Sequence, residues 1–137
     1  MSDGTALDHL GEWTTLVEAG PMQVFSLLTN DPNPIHWDRS ETQRLGYGDR
    51  LINQGGLNVA YVLNAIQSQF GTNVMVSSAT FRFLANAFEG DTVIAGGEMA
   101  SSEGATSLMT WLRNQRGDSL VTGVVSVTTE PTAKELI

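Results

Sequence analysis

The sequence predicts an α+β fold in which a curved antiparallel β-sheet wraps one long central helix. Three observations carry this. From Leu57 to Phe70 no residue is charged and apolar side chains fall on nearly every side; a helix apolar all round belongs in the interior. After Gly71, four runs rich in β-branched and aromatic residues follow one another: Val74–Phe83, Thr92–Met99, Thr106–Asn114 and Leu120–Thr128. Glu89-Gly90-Asp91, Glu103-Gly104 and Arg116-Gly117-Asp118 supply the short turns between them, and short connections favour an antiparallel meander.

The rest of the chain fits around that frame. Glu12–Glu18, with Trp13, Thr14, Thr15, Leu16 and Val17, predicts a first strand. Ala19-Gly20 breaks it, and Pro21 suits the first position of a helix whose Met22, Phe25 and Leu28 recur at helical spacing through Asn30. Ser40 predicts the cap of a short helix from Glu41 to Leu45 that stops at Gly46. Residues 1–11, with His9, are expected as a loose lead-in and 130–137 as a loose tail. No repeat or linker divides the chain, so one domain over 1–137 is expected.

Composition limits what the chain can do. Its 137 residues, 41% of them apolar, suffice for a core but form no membrane-spanning run. Met1-Ser2-Asp3-Gly4 has neither the charge nor the apolar stretch of a signal peptide, and a cytoplasmic location is expected. With no cysteine, disulfides and thiolate metal sites are excluded, and no carboxylate spacing suggests a metal. A net charge of −8 with scattered basic residues argues against nucleic acid.

Between the two helices lies Asp31-Pro32-Asn33-Pro34-Ile35-His36-Trp37-Asp38. Its prolines restrict the backbone at and before their own positions. A carboxylate and an imidazole therefore stand five positions apart on a stiff bend, as a binding or catalytic loop requires. The bland alternative is a helix stop and turn, since Asp, Asn and Pro are ordinary turn formers.

The run Phe25–Asp38 resembles the D-x-N-P-x-H-x-D signature of the MaoC-like (R)-specific enoyl-CoA hydratases. The resemblance continues at Asn53-Gln54-Gly55-Gly56-Leu57, at Phe83, at Phe88-Glu89-Gly90-Asp91-Thr92 and at Asn114-Gln115-Arg116-Gly117. It covers the chain from about Glu12 to about Thr129. It implies the hotdog fold, a homodimer with shared sites, and an acyl-CoA substrate with no cofactor beyond the coenzyme A that the substrate carries. Asn30, Gln54 and Asn86 depart from the residues common in the family: glycine, histidine and proline respectively.

Hydrating a 2-enoyl thioester needs a base for water, an acid for the α-carbon and a donor for the enolate oxygen. Asp31 and His36 suit the first two tasks. The resemblance assigns the third to the backbone N–H of Gly55, at a helix N-terminus where free N–H groups favour negative charge. Asn33 and Asp38 are expected to organise the loop, Gln54 and Gly56 to line the pocket entrance, and Trp37 to pack. Tyr61 and Asn64 read as satisfied polar groups of the core. Arg82 and Arg113 are candidate partners for the coenzyme phosphates, with neither chosen. The hotdog fold also hosts acyl-CoA thioesterases and non-catalytic partner subunits, so fold alone does not separate these from a hydratase.

Overall fold

The computed structural model describes residues 7–102 and 105–129. The elements run β1 (Leu7–Leu16), α1 (Ala19–Thr29), a 3-10 turn (Pro34–His36), α2 (Arg39–Arg44), α3 (Gly55–Phe70), β2 (Val74–Phe83), β3 (Thr92–Ser102), β4 (Ala105–Asn114) and β5 (Ser119–Thr129). The five strands form one antiparallel sheet in the order β1-β3-β4-β5-β2. Register shifts at Leu10/Trp13 and Val76/Ser78 mark irregularities on both edge strands. Bulges of this kind sharpen the twist that curves a sheet. The turns before β3 and β5 are closed by Gly90 at φ 90° and Gly117 at φ 82°, left-handed conformations in which a side chain is strained.

α3 lies in the concavity. Val62, Ala65 and Ile66 share one buried cluster with Leu108, Leu112, Val121 and Val125 of the sheet. Period-two alternation sends Leu108, Leu112 and Asn114 inward while Met109 and Arg113 face out. Trp13 of β1 stacks on Tyr61 of α3 with ring centroids 5.7 Å apart. Tyr61 accepts a hydrogen bond from the buried Asn53 amide at 3.2 Å, and its desolvation raises the phenol above its ordinary pKa. This is the hotdog arrangement. Among the described residues no helix is long and apolar enough to cross a membrane.

Several boundaries differ from expectation for physical reasons. β1 begins at Leu7, so His9 belongs to a paired strand and not to a loose lead-in. α1 begins two residues before Pro21. The α2 cap is Asp38, not Ser40: the Asp38 carboxylate accepts the Ser40 N–H at 3.0 Å and the Ser40 hydroxyl at 2.6 Å. The Glu103-Gly104 turn, residues 1–6 and the tail from 130 lie outside the described residues.

Candidate active site

α1 delivers the chain into the loop through a tight helix stop. Asn30 is left-handed at φ 53°, ψ 46°. Its N–H donates to Leu27 O at 3.4 Å and that of Asp31 to Ser26 O at 2.9 Å, the two bonds of a Schellman stop. Glycine favours this position, and asparagine is among the few side chains that tolerate it. The Asn30 departure is thus a working substitute at a backbone-determined site.

The loop then folds on its own polar groups. The Asn33 N–H donates to Asp31 Oδ1 at 3.0 Å, and Asn33 Oδ1 accepts the Ile35 N–H at 3.3 Å. Asn33 thereby caps the 3-10 turn that contains His36. With Oδ1 held, Asp31 presents Oδ2 to His36 Nε2 at 3.3 Å. The opposite ring nitrogen, Nδ1, lies 2.6 Å from the Ile52 carbonyl. A carbonyl only accepts, so Nδ1 carries hydrogen and Nε2 is the atom free to gain or lose a proton. His36 is 6% exposed, while a third of the Asp31 side chain is open to a cavity of about 360 Å³ walled by Ser26, Leu27, Pro32 and Trp37. Trp37, expected to pack, is half exposed and lines that cavity.

Asp38 stays outside the pair. Its carboxyl is held below the ordinary aspartate pKa by the Ser40 hydroxyl, against some desolvation and helped by the backbone N–H groups of Ser40 and Glu41.

The loop is bolted to the entrance of α3. The Ile52 N–H donates to Ile35 O at 3.0 Å, so Ile35 and His36 both grip Ile52, three positions before Gly55. At the start of α3, Leu57 and Asn58 N–H groups both reach Gln54 O at 3.1 Å. Among the described residues the N–H groups of Gly55 and Gly56 have no acceptor, as expected for a first helical turn. Two rings bracket that turn: a Cβ on Gly55 would lie 3.0 Å from Phe83 Cε1, and one on Gly56 2.9 Å from Phe25 Cζ. No hydrogen bond among the described residues joins Gly55 directly to Asp31 or His36.

Gln54 corrects an expectation. It is 3% exposed and does not line a pocket entrance; its Nε2 donates to Met22 O and to Ser26 Oγ, both at 2.8 Å. Ser26 and Ile52 are the residues that sequence reasoning missed. A hydroxyl four positions after Met22, on the same face of the helix, was the available signal for Ser26, and a backbone carbonyl leaves none for Ile52. Arg82 and Arg113 face away from α3 and line a groove of about 700 Å³, with Arg113 stacked 3.9 Å over Trp111.

The MaoC like domain family matches residues 9–110. The chain belongs to that family. Among solved structures this MaoC-like chain is similar to the R-hydratase PhaJ1 from Pseudomonas aeruginosa, with TM-score 0.83 and 22% identity over 91% of this chain and 81% of the other. The (R)-hydratase from A. caviae involved in PHA biosynthesis gives TM-score 0.82 and 23% identity over 90% and 95%. The ChsH1-ChsH2 complex from Mycobacterium tuberculosis gives 0.79 and 21% over 95% and 100%. At these identities the likeness establishes the shared fold. No curated protein sequence matches the chain.

Proposed function

We propose that this MaoC-like chain is a hydro-lyase that reversibly hydrates trans-2-enoyl-CoA thioesters to (R)-3-hydroxyacyl-CoA. The observation that carries the reading is the Asp31 Oδ2–His36 Nε2 pair at 3.3 Å, with the far side of each group already committed, to Asn33 N–H and to Ile52 O. Both free atoms are left to one water.

In the reactive form Asp31 is a carboxylate and His36 carries hydrogen on both nitrogens. Oδ2 takes a proton from the water as its oxygen bonds to the β-carbon, and Nε2–H gives its proton to the α-carbon. The π electrons move toward the thioester oxygen and return as the α C–H bond forms. Water and proton come from groups on one loop, which favours addition to one face of the double bond. Asp31 ends protonated and His36 neutral. Since Oδ2 and Nε2 are adjacent, a direct transfer between them restores the starting form. The Gly55 N–H is the donor for the developing enolate oxygen, a contribution of about 3 kcal/mol for such a group.

The acyl chain is assigned to the cavity bounded by Leu27, Pro32 and Trp37. The assembly proposed is a homodimer paired through β2. Among the described residues that strand bonds only to β5, and Met75, Val76 and Phe83 on it are exposed; such a ten-residue edge is a template for a second chain. Coenzyme A enters as part of the substrate, and the proton steps use side chains alone.

The test is loss of enoyl-thioester absorbance with crotonyl-CoA and longer or branched homologues. Turnover by wild type and its loss in Asp31→Asn and His36→Ala, with the dimer retained, is the expected result. Release of free thiol in place of hydration would move the reading to a thioesterase, and activity only with a second protein would move it to a partner subunit.

A further inference from the structure

The start of α3 and the middle of α1 are joined by one side chain whose chemistry the hydration mechanism leaves unused. Both hydrogens of the Gln54 amide are spent on α1, at Met22 O and Ser26 Oγ. Met22 O can only accept, which fixes the amide orientation. Gln54 Oε1 is then left buried with no partner among the described residues, and an unmatched buried acceptor costs stability. A residue kept for packing alone has no need of that arrangement; local conflicts of this kind gather at functional sites.

The two ends of this bridge matter. Gln54 directly precedes Gly55. Ser26 holds Gln54 with its hydroxyl and, with its carbonyl, accepts the Asp31 N–H at 2.9 Å. A path of two hydrogen bonds through one residue thus runs from the Asp31 backbone to the residue that precedes the helix tip. It is separate from the His36–Ile52 anchor on the other side of the loop.

We propose that Gln54 and Ser26 form a positioning clasp that sets the separation between the Asp31 carboxylate and the Gly55 N–H. It rests on the hydratase reading. Base and oxyanion donor act on atoms at opposite ends of the reacting enoyl group, so their spacing decides how well both engage at once. Misplacement by about 1 Å can cost on the order of a hundredfold in rate.

The experiment compares wild type, Ser26→Ala, Gln54→Ala and the double variant, by steady-state kinetics on an enoyl-CoA, thermal denaturation and amide NMR spectra. The expected result is a roughly tenfold or greater fall in kcat for each single variant at a temperature where circular dichroism shows full folding. KM should stay within about twofold, and the double variant should be no slower than Gln54→Ala, which already removes both bonds to α1, whereas Ser26→Ala leaves the one to Met22 O. In the spectra Gln54→Ala should move the Asp31 amide resonance and Ser26→Ala that of Gly55. A lowered melting temperature with unchanged kcat, additive losses, or no reciprocal shifts would overturn the clasp. If wild type turns over no enoyl thioester, the hydratase reading fails while the reciprocal shifts still decide whether the clasp joins the two positions.

Discussion

His36 Nδ1 and the Ile52 carbonyl lie 2.6 Å apart, so the ring that faces Asp31 is held by a residue three positions before Gly55. One backbone oxygen fixes both the tautomer of the imidazole and its place beside the helix entrance. The first prediction follows from what this leaves free. Asp31→Asn and His36→Ala should each lower kcat by about 10²–10⁴-fold, the range for removing a positioned acid or base. His36→Ala should also destabilise, since it vacates a buried site and orphans Ile52 O. Asp31→Asn should not, because its Oδ1 can still accept the Asn33 N–H. Kinetics beside thermal melts would check both halves.

Gly55 and Gly56 should respond differently to an added methyl. At Gly55 the new carbon meets the edge of one side-chain ring, Phe83, at the last position of β2, where a shift of a few tenths of an ångström relieves the contact. Gly55→Ala should therefore melt within about 1 kcal/mol of wild type while kcat falls, because the methyl screens the N–H from the thioester. At Gly56 the obstacle is Phe25, closer and held on α1. Gly56→Ala should cost about 1–3 kcal/mol by overpacking. Equal kcat for Gly55→Ala and wild type would remove Gly55 from the mechanism.

Asn30 holds the left-handed stop that aims Asp31. Asn30→Val should lose about 1–2 kcal/mol, the cost of that conformation for an ordinary side chain, with a lower kcat as the Asp31 N–H bond to Ser26 loosens. Asn30→Gly should match or exceed wild type in stability. Denaturant titration distinguishes the two.

The sheet and α3 were legible because their signals are collective: a charge-free run, and strands spaced by glycine turns. The Asp31–His36 pair was legible because both groups sit within one proline-braced loop. What surrounds the pair was not. Periodicity placed α1, yet the chain buries Met22 and Ser26 and leaves Leu27 and Leu28 about four-fifths exposed, because the face a helix hides depends on what lies against it. Gln54 read as a pocket residue because its bonds reach 28 and 32 positions back along the chain, beyond any local pattern. Asp38 and Ser40 are both good caps, and only the observed hydroxyl-to-carboxylate bond shows which one serves the other.

Acid should weaken the frame that carries Ile52 through Glu89. Its carboxylate bonds the Arg39 guanidinium and accepts the Leu51 N–H at 3.2 Å. These contacts, Arg39 foremost, hold it below the ordinary glutamate pKa despite partial desolvation, with Leu51 N–H and Arg50 assisting. In the unfolded chain it would protonate first, near pH 4.3. A depressed folded pKa means that the stabilisation is complete above that value and disappears as pH falls through the folded pKa. The effect should be modest, about 1 kcal/mol or less, since Arg39 is half exposed. Glu89→Gln has no carboxylate to titrate, so the wild type's advantage in melting temperature should be constant from about pH 7 to 5 and shrink from about pH 5 to 3. Because Leu51 adjoins the residue that anchors His36, Glu89→Gln should also speed hydrogen exchange at the Ile52 amide at neutral pH. An advantage that persists undiminished at pH 3 would show that the ion pair contributes nothing to the fold.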